Sequence, residues 1–410
     1  MKECFITGRG LVTPLGIGLE DNAARLKSGA SGIIRCEEYV ERELESQVAG
    51  VVTQDLSTPL LERKQLRFCP RSAIMSVIAV AEALQEAGLT PDEIRGRRIA
   101  LVGGVAGGAY AEVHHNASAY EAHNNNLRHV TPLIVPRVMP SSVVSILSMI
   151  FGLIGESYDI SAACSSGALA VMVASRLVKS GIYDMVIAGG AENIDWVTAL
   201  GFTASRALSR NFNDEPSRAS RPFDVDRDGF ILGEGAGFVI LESGESLSRR
   251  GARPITRVSG FGANSNARDM VVPDAERGAE VMRLALADAG LRPEDIGYVN
   301  THGTSTKVGD PIELESIEAV FGSRVAVNST KSQTGHLIGA TGSVEIIFTS
   351  MMMERGFISA TQNLDHPIPE FAHMDLVREL REGVDIRHAL SNNFAFGGSN
   401  VSAILSRCDG

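Results

Sequence analysis

The sequence predicts an α/β protein made of two similar halves, each running in βαβαβαββ order, packed as layers. Three observations carry that expectation. Short apolar segments ending in glycine corners alternate with segments of helical period, as strands feeding helices do. The same order restarts after Arg250-Gly251-Ala252-Arg253-Pro254, without recognisable identity between the halves. And the 42 glycines gather in short turns rather than in low-complexity tracts.

The first strand and turn are expected at Phe5-Ile6-Thr7-Gly8-Arg9-Gly10, followed by a helix over 19–28. Helical period returns over 75–87, and Ile99-Ala100-Leu101-Val102-Gly103-Gly104 reads as a buried strand ending in glycines. Residues 105–135 are polar, carry Asn124-Asn125-Asn126, and read as an irregular surface or interface excursion. Four of the nine histidines (His114, His115, His123 and His129) lie in it, without metal-ligand or triad spacing. A helix over 141–150, a strand ending at Tyr158, a helix over 169–179 and a buried strand over 184–192 come next. Residues 203–234 form a long Arg/Asp/Ser/Gly-rich loop, a length that favours a functional segment. A strand over 235–241 closes the first half. The second half is read as strands near 255–261, 298–301, 325–328, 389–393 and 401–405, with helices over 275–289 and 343–353. The seam falls near 245–254, giving expected domains 1–250 and 251–410.

Composition excludes several functions. With 44% apolar and 21% charged residues over 410 positions, the chain is globular with ample core. A formal charge of −11 argues against nucleic acid as the main partner, although local basic patches can still dock an acidic one. Cys4, Cys36, Cys69, Cys164 and Cys408 are scattered without ligand spacing, so neither a disulfide framework nor a zinc site is indicated. The immediate N-terminal strand leaves no room for a signal peptide, and the most apolar stretch, 143–154, is too short to span a bilayer. A soluble cytoplasmic protein is expected.

The chemistry concentrates in short motifs. Asp159-Ile160-Ser161-Ala162-Ala163-Cys164-Ser165-Ser166-Gly167-Ala168 reads as strand, tight turn and helix start, with Cys164 near the first helical turn. Unpaired N–H groups there favour an ionised thiol, while the alternative is a small buried hydrophobe. Asn300-Thr301-His302-Gly303-Thr304-Ser305-Thr306 follows a strand, where α/β folds bind ligands, and Gly309-Asp310-Pro311-Ile312-Glu313 opens the next helix. Lys331 and His336 sit in a polar loop, and a buried Lys331 needs a partner, for which Glu313 is a candidate. Asn393-Phe394-Ala395-Phe396-Gly397-Gly398-Ser399-Asn400 offers backbone donors and aromatic walls. Together these make a nucleophile, electrophilic helpers and an oxyanion hole.

With Ala162-Ala163-Cys164-Ser165-Ser166-Gly167, Arg221-Pro222-Phe223-Asp224, Arg227-Asp228-Gly229-Phe230, the His302 motif, Lys331 through His336 and the 393–400 motif in order, the chain resembles the elongating β-ketoacyl-[acyl carrier protein] synthases. The resemblance runs from Phe5 to Leu405 and implies a thiolase-like, layered αβαβα architecture. It implies acylation of Cys164 by an acyl carrier protein thioester, then decarboxylative condensation with malonyl-[acyl carrier protein]. Under it, the N–H groups of Cys164 and Phe396 form the oxyanion hole, and Phe396, beside Phe394, is the gate. His302 and His336 stabilise the enolate, with Lys331 and Glu313 supporting them electrostatically. Thr304, Thr306, Gly107, Phe202 and Phe230 bind substrate, with Gly107 leaving the acyl pocket roomy. Arg63, Lys64, Arg67 and Arg128 dock the acidic carrier protein. No metal or organic cofactor is implied, and the family's dimer is, by the same resemblance, a homodimer or a heterodimer with a chain-length-factor-like subunit. Cys164 with both histidines argues against a non-catalytic chain-length factor, and a cysteine hydrolase should instead show a Cys-His-acid set. A ketosynthase of a type II polyketide or polyene pathway uses the same residues as fatty-acid elongation. Ala395 and Ser399 depart from the family's usual glycine and threonine, and Ala395 puts the gate's flexibility in question.

Overall fold

The computed structural model describes residues 2–408. Its framework is a sheet whose main path runs through β1 (Cys4–Thr13), β2 (Ala100–Gly104), β3 (Ser157–Ile160), β4 (Met185–Glu192), β5 (Gly235–Ser243), β6 (Thr256–Ser265), β7 (Tyr298–Asn300), β8 (Ala326–Asn328), β9 (His388–Phe394) and β10 (Ser399–Arg407). Across the sheet they lie as β8-β7-β9-β10-β6-β1-β5-β4-β2-β3. Each half therefore has the same internal order, third-second-fourth-fifth-first. Pairing repeats as well. In the first half β2 runs parallel to β3 and β4, and the other neighbours are antiparallel. In the second half β7 runs parallel to β8 and β9, again with antiparallel partners beyond. The halves join where Phe5 pairs with Arg257 and Ile6 with Thr256.

Six helices complete the βαβαβαββ order twice: α1 (Arg71–Glu86), α2 (Ser142–Phe151), α3 (Ser166–Lys179), α4 (Ala275–Ala289), α5 (Gly309–Phe321) and α6 (Thr341–Arg355). Helices α1 and α2 bury their apolar faces on the first half's strands, and α4 and α5 cover the second half's. Between the two sets lie α3 and α6, whose side chains share one core cluster with strands of both halves. The layers are thus α, β, α, β, α. Every residue of α6 from Thr341 to Met353 is buried, so its sequence shows no amphipathic stripe.

The repeat extends to packing detail. A Cβ at Gly8 would lie 2.0 Å from Ala83 O and one at Gly10 1.8 Å from Ala79 O, so β1 rests directly on the α1 backbone. At the matching place, a Cβ at Gly262 would lie 2.0 Å from Val281 O of α4. Strand and helix touch with no side chain between them.

One sequence expectation is corrected. Residues 105–135 are not irregular: they hold a helix Tyr110–Ala122, a 3-10 turn Leu127–His129 and a short helix Ile134–Val138. The first of these has no clear apolar stripe, so its period was invisible in the sequence. Among the described residues, no helix is long and apolar enough to cross a membrane.

Candidate active site

Cys164 stands two residues before α3. The chain reaches it through Ala163, whose φ of 47° lies in the left-handed region that alanine rarely enters. Hydrogen bonds hold this turn. Ser166 Oγ accepts from Ala162 N at 2.9 Å and donates to Ala163 O at 2.7 Å. Ser165 Oγ lies 3.1 Å from Asn393 O and 2.8 Å from Ser399 O, the two ends of the glycine-rich loop between β9 and β10. The nucleophile turn of the first half is thereby registered against the donor loop of the second.

Around the sulfur the geometry is tight. His336 Nε2 lies 3.0 Å from Cys164 Sγ. On the far side of the ring, Nδ1 lies 3.0 Å from Thr341 Oγ1 at the start of α6. The His302 ring meets His336 edge-on, with centroids 5.2 Å apart at 89°. His302 Nδ1 is buried without a hydrogen-bond partner among the described residues, so its ring is held by packing. The backbone N–H groups of Phe396 and of Cys164 itself both act on the sulfur.

These residues share a cavity of about 290 Å³, lined also by Phe202, Phe230, Thr304, Thr306, Glu313, Phe394 and Phe396. Phe230 meets His336 edge-on at 5.5 Å, and Phe202 lies between Phe230 and Phe396. The Thr304 and Thr306 hydroxyls are 3.1 Å apart. Ala395 takes none of the left-handed conformations of this loop, which fall on Gly397 and Gly398 with φ of 83° and 77°. An alanine is therefore accommodated at 395 without backbone strain.

Charge in the site is set by burial. Desolvation pushes the Cys164 thiol up to about 11, although the Phe396 N–H, the Lys331 cation and its own N–H all pull it down. That corrects the expectation of an easily ionised thiol: removing the thiolate from water costs more than the nearby donors return. Both imidazoles are held well below their ordinary value, first by burial and then by Lys331. They are neutral at neutral pH, each with one N–H to donate.

A second correction concerns Lys331. Its Nζ lies 2.7 Å from Glu345 Oε1, not against Glu313. Glu313 instead accepts from the backbone N–H groups of His302 (2.8 Å) and Gly303 (2.6 Å), fixing the His302 turn. Burial raises Glu313 to about 7. Glu345 was detectable in sequence only as a lone carboxylate within the apolar run of α6. Thr341 carried no signal.

Other expected residues stand apart. Gly107 does not line this cavity; it faces a separate small cleft, and its N–H donates to Glu192 Oε2 at 3.2 Å. The buried Glu192 carboxylate also accepts from Ala106 N and from Gly339 N, so it ties the chain after β2 to the loop that carries His336. Sequence reasoning did not find it. Arg63, Lys64, Arg67 and Arg128 are exposed and outside the cavity, the first two on the short helix Arg63–Leu66 and Arg128 in the 3-10 turn. Lys64 pairs with Glu62 at 2.9 Å.

Comparison with known proteins follows the same lines. The family model described as beta-ketoacyl synthase, N-terminal domain, matches residues 1–246, and that described as beta-ketoacyl synthase, C-terminal domain, matches 255–365. The chain belongs to the β-ketoacyl synthase family. A 3-oxoacyl-[acyl-carrier-protein] synthase 1 of Haemophilus influenzae is 36% identical over 100% of both chains. A 3-oxoacyl-[acyl-carrier-protein] synthase 2 of Vibrio cholerae is 38% identical over 99% of each. Among solved structures, a β-ketoacyl synthase from Burkholderia phymatum superposes with a TM-score of 0.94 at 35% identity over 100% of both chains. The ishigamide ketosynthase/chain length factor gives 0.92 at 28%, also over 100% of both chains. Within this family the fold is the thiolase-like one that the resemblance implied, and the repeated βαβαβαββ order is its internal duplication.

Proposed function

We propose that the protein is an acyltransferase performing decarboxylative condensation of an acyl thioester with malonyl-[acyl carrier protein], giving 3-oxoacyl-[acyl carrier protein] in fatty-acid elongation. The observation that carries this is the 3.0 Å contact between Cys164 Sγ and His336 Nε2, with the His302 ring edge-on to His336 in the same cavity. The full-length relatives named as 3-oxoacyl synthases support the pathway.

In the first stage Cys164 Sγ attacks the acyl carbonyl. The C–S bond to the enzyme forms, and the carrier's thiolate leaves, taking up the proton that the Cys164 thiol gives up. The N–H groups of Phe396 and Cys164 bind the tetrahedral oxyanion, each contributing a few kcal/mol. In the second stage the malonyl thioester loses CO₂, and its electron pair is held as an enolate by N–H donation from His302 and His336. Thr341, donating its hydroxyl hydrogen to His336 Nδ1, keeps the proton on Nε2, where the enolate needs it. The enolate attacks the acyl carbon, forming the new carbon–carbon bond and releasing Cys164. Lys331 opposes protonation of both imidazoles, while Glu313 orients the His302 turn.

Thr304 and Thr306 are assigned to the pantetheine and malonyl channel, Phe202 and Phe230 to the acyl side, and Phe394 and Phe396 to the gate. Arg63, Lys64, Arg67 and Arg128 form the docking surface for an acidic carrier protein in a homodimeric, cytoplasmic enzyme. The seam between the halves is assigned near 245–254, a reading supported by one family model ending at 246 and the other beginning at 255. A ketosynthase role in a polyketide or polyene pathway with a chain-length-factor partner is the second reading, favoured by the likeness to the ishigamide protein. Incubation with acyl and malonyl carrier proteins, with products read by mass, tests both. Elongation of saturated acyl chains by the protein alone is expected, whereas condensation that requires a second subunit selects the other pathway. Cys164→Ala should lose acylation, and His302→Ala should acylate yet fail to condense. Normal condensation by His302→Ala would overturn the assignment.

A further inference from the structure

No zinc-type spacing exists in the sequence, yet folding brings three soft or borderline ligands together. One ligand atom each of Cys164, His302 and His336 lies within 4.8 Å of the others. Around tetrahedral zinc, ligand atoms sit about 3.3 Å apart for two nitrogens and about 3.6 Å for nitrogen and sulfur, from bond lengths of roughly 2.0 and 2.3 Å. The 3.0 Å separation of His336 Nε2 and Cys164 Sγ must open slightly and His302 must lean inward. Two features permit this. No hydrogen bond among the described residues anchors His302 Nδ1, so reorienting the ring against its packing breaks none at that atom. To bind, His336 shifts its proton from Nε2 to Nδ1, where Thr341 Oγ1 at 3.0 Å changes from donor to acceptor, the kind of support that fixes a metal-binding imidazole. The fourth coordination position opens into the cavity, where water has access.

We propose that Cys164, His302 and His336 form a capture site for a thiophilic divalent cation, zinc foremost, and that its occupancy blocks the enzyme reversibly. On binding, the Cys164 thiol releases its proton to solvent as the sulfur–metal bond forms, and each imidazole gives one ring lone pair. No electron transfer is involved. The sulfur lone pair needed for acylation and the imidazoles needed by malonyl thioester are then all engaged. Thiolate and imidazole donors select zinc or cadmium, whereas magnesium and calcium, which prefer oxygen ligands, are not held. The inference stands on the geometry alone and does not depend on which acyl chain is condensed.

The test uses Co²⁺ as a spectroscopic stand-in for zinc on the purified full chain. One equivalent should bind with a sulfur-to-cobalt charge-transfer band and the intense visible bands of a four-coordinate site, both abolished by zinc or EDTA. Cys164→Ser should remove the charge-transfer band, and His302→Ala should weaken binding by at least about tenfold. Protein whose Cys164 has been alkylated should lose the band too, a control that requires no folded variant. His123→Ala, which removes a member of the exposed stacked His123–His129 pair, should leave the spectrum unchanged. Cobalt binding without a sulfur band, a band that survives Cys164→Ser, or no binding at millimolar metal would each overturn the proposal.

Discussion

Lys331 Nζ and Glu345 Oε1 form an ion pair at 2.7 Å in the interior, their side chains 1% and 3% exposed. It links the short helix Lys331–Thr334 to α6, one turn after Thr341, and lies near both imidazoles. A buried pair adds little net stability, but removing one partner strands the other.

Lys331→Met should therefore destabilise the protein by about 3–5 kcal/mol, because Glu345 is left buried without its cation. Calorimetric melting checks this, and adding Glu345→Gln should restore part of the loss. The same variant should alter pH dependence. Lys331 holds the His302 and His336 pKa values down. Its removal raises them, so malonyl decarboxylation, which needs neutral imidazoles, should fail at a higher pH than in the unmodified enzyme as pH falls. An unchanged acid limb would sink this reading.

Thr341→Val removes the hydroxyl 3.0 Å from His336 Nδ1 and leaves the shape nearly unchanged. One neutral hydrogen bond is worth about 0.5–1.5 kcal/mol, so condensation should slow by roughly two- to tenfold. Thr341→Ser should recover most of the rate. Single-turnover measurements on acylated enzyme isolate the step.

The Cys164 thiol, raised to about 11 by burial, is largely protonated in the free enzyme. Its alkylation by iodoacetamide should accelerate about tenfold per pH unit between roughly pH 7 and 9, with no plateau. A plateau near neutrality would mean that the N–H groups and Lys331 outweigh desolvation.

Gly342→Ala tests the contact between the two central helices. A Cβ there would lie 2.2 Å from Asn393 Oδ1 and 2.6 Å from Ala168 Cβ. The overpacking should cost about 1–3 kcal/mol by denaturant titration. Because Asn393 also leads into the Phe394–Gly398 loop, activity should fall beyond what the loss of folded protein explains.

The sequence by itself determined the element order. Strand and helix periods appear locally, and the helices over 19–28 and 275–289 end where their Gly29 and Gly290 caps turn left-handed. It also marked the short motifs around Cys164, His302, Lys331–His336 and Phe394–Asn400, since unusual residue types in turns do not depend on distant contacts. Residues 110–122 escaped it, because their helix has almost no apolar stripe to read.

Only the tertiary structure decided who faces whom. Lys331 met Glu345 rather than Glu313 because α6 lies between the two outer helix sets and carries Glu345 inward. Three residues spread from 164 to 336 became a single donor set of sulfur and nitrogen. And the thiol's ionisation reversed sign, from favoured at a helix start to opposed by burial, since desolvation is a property of the assembled interior and not of any local stretch.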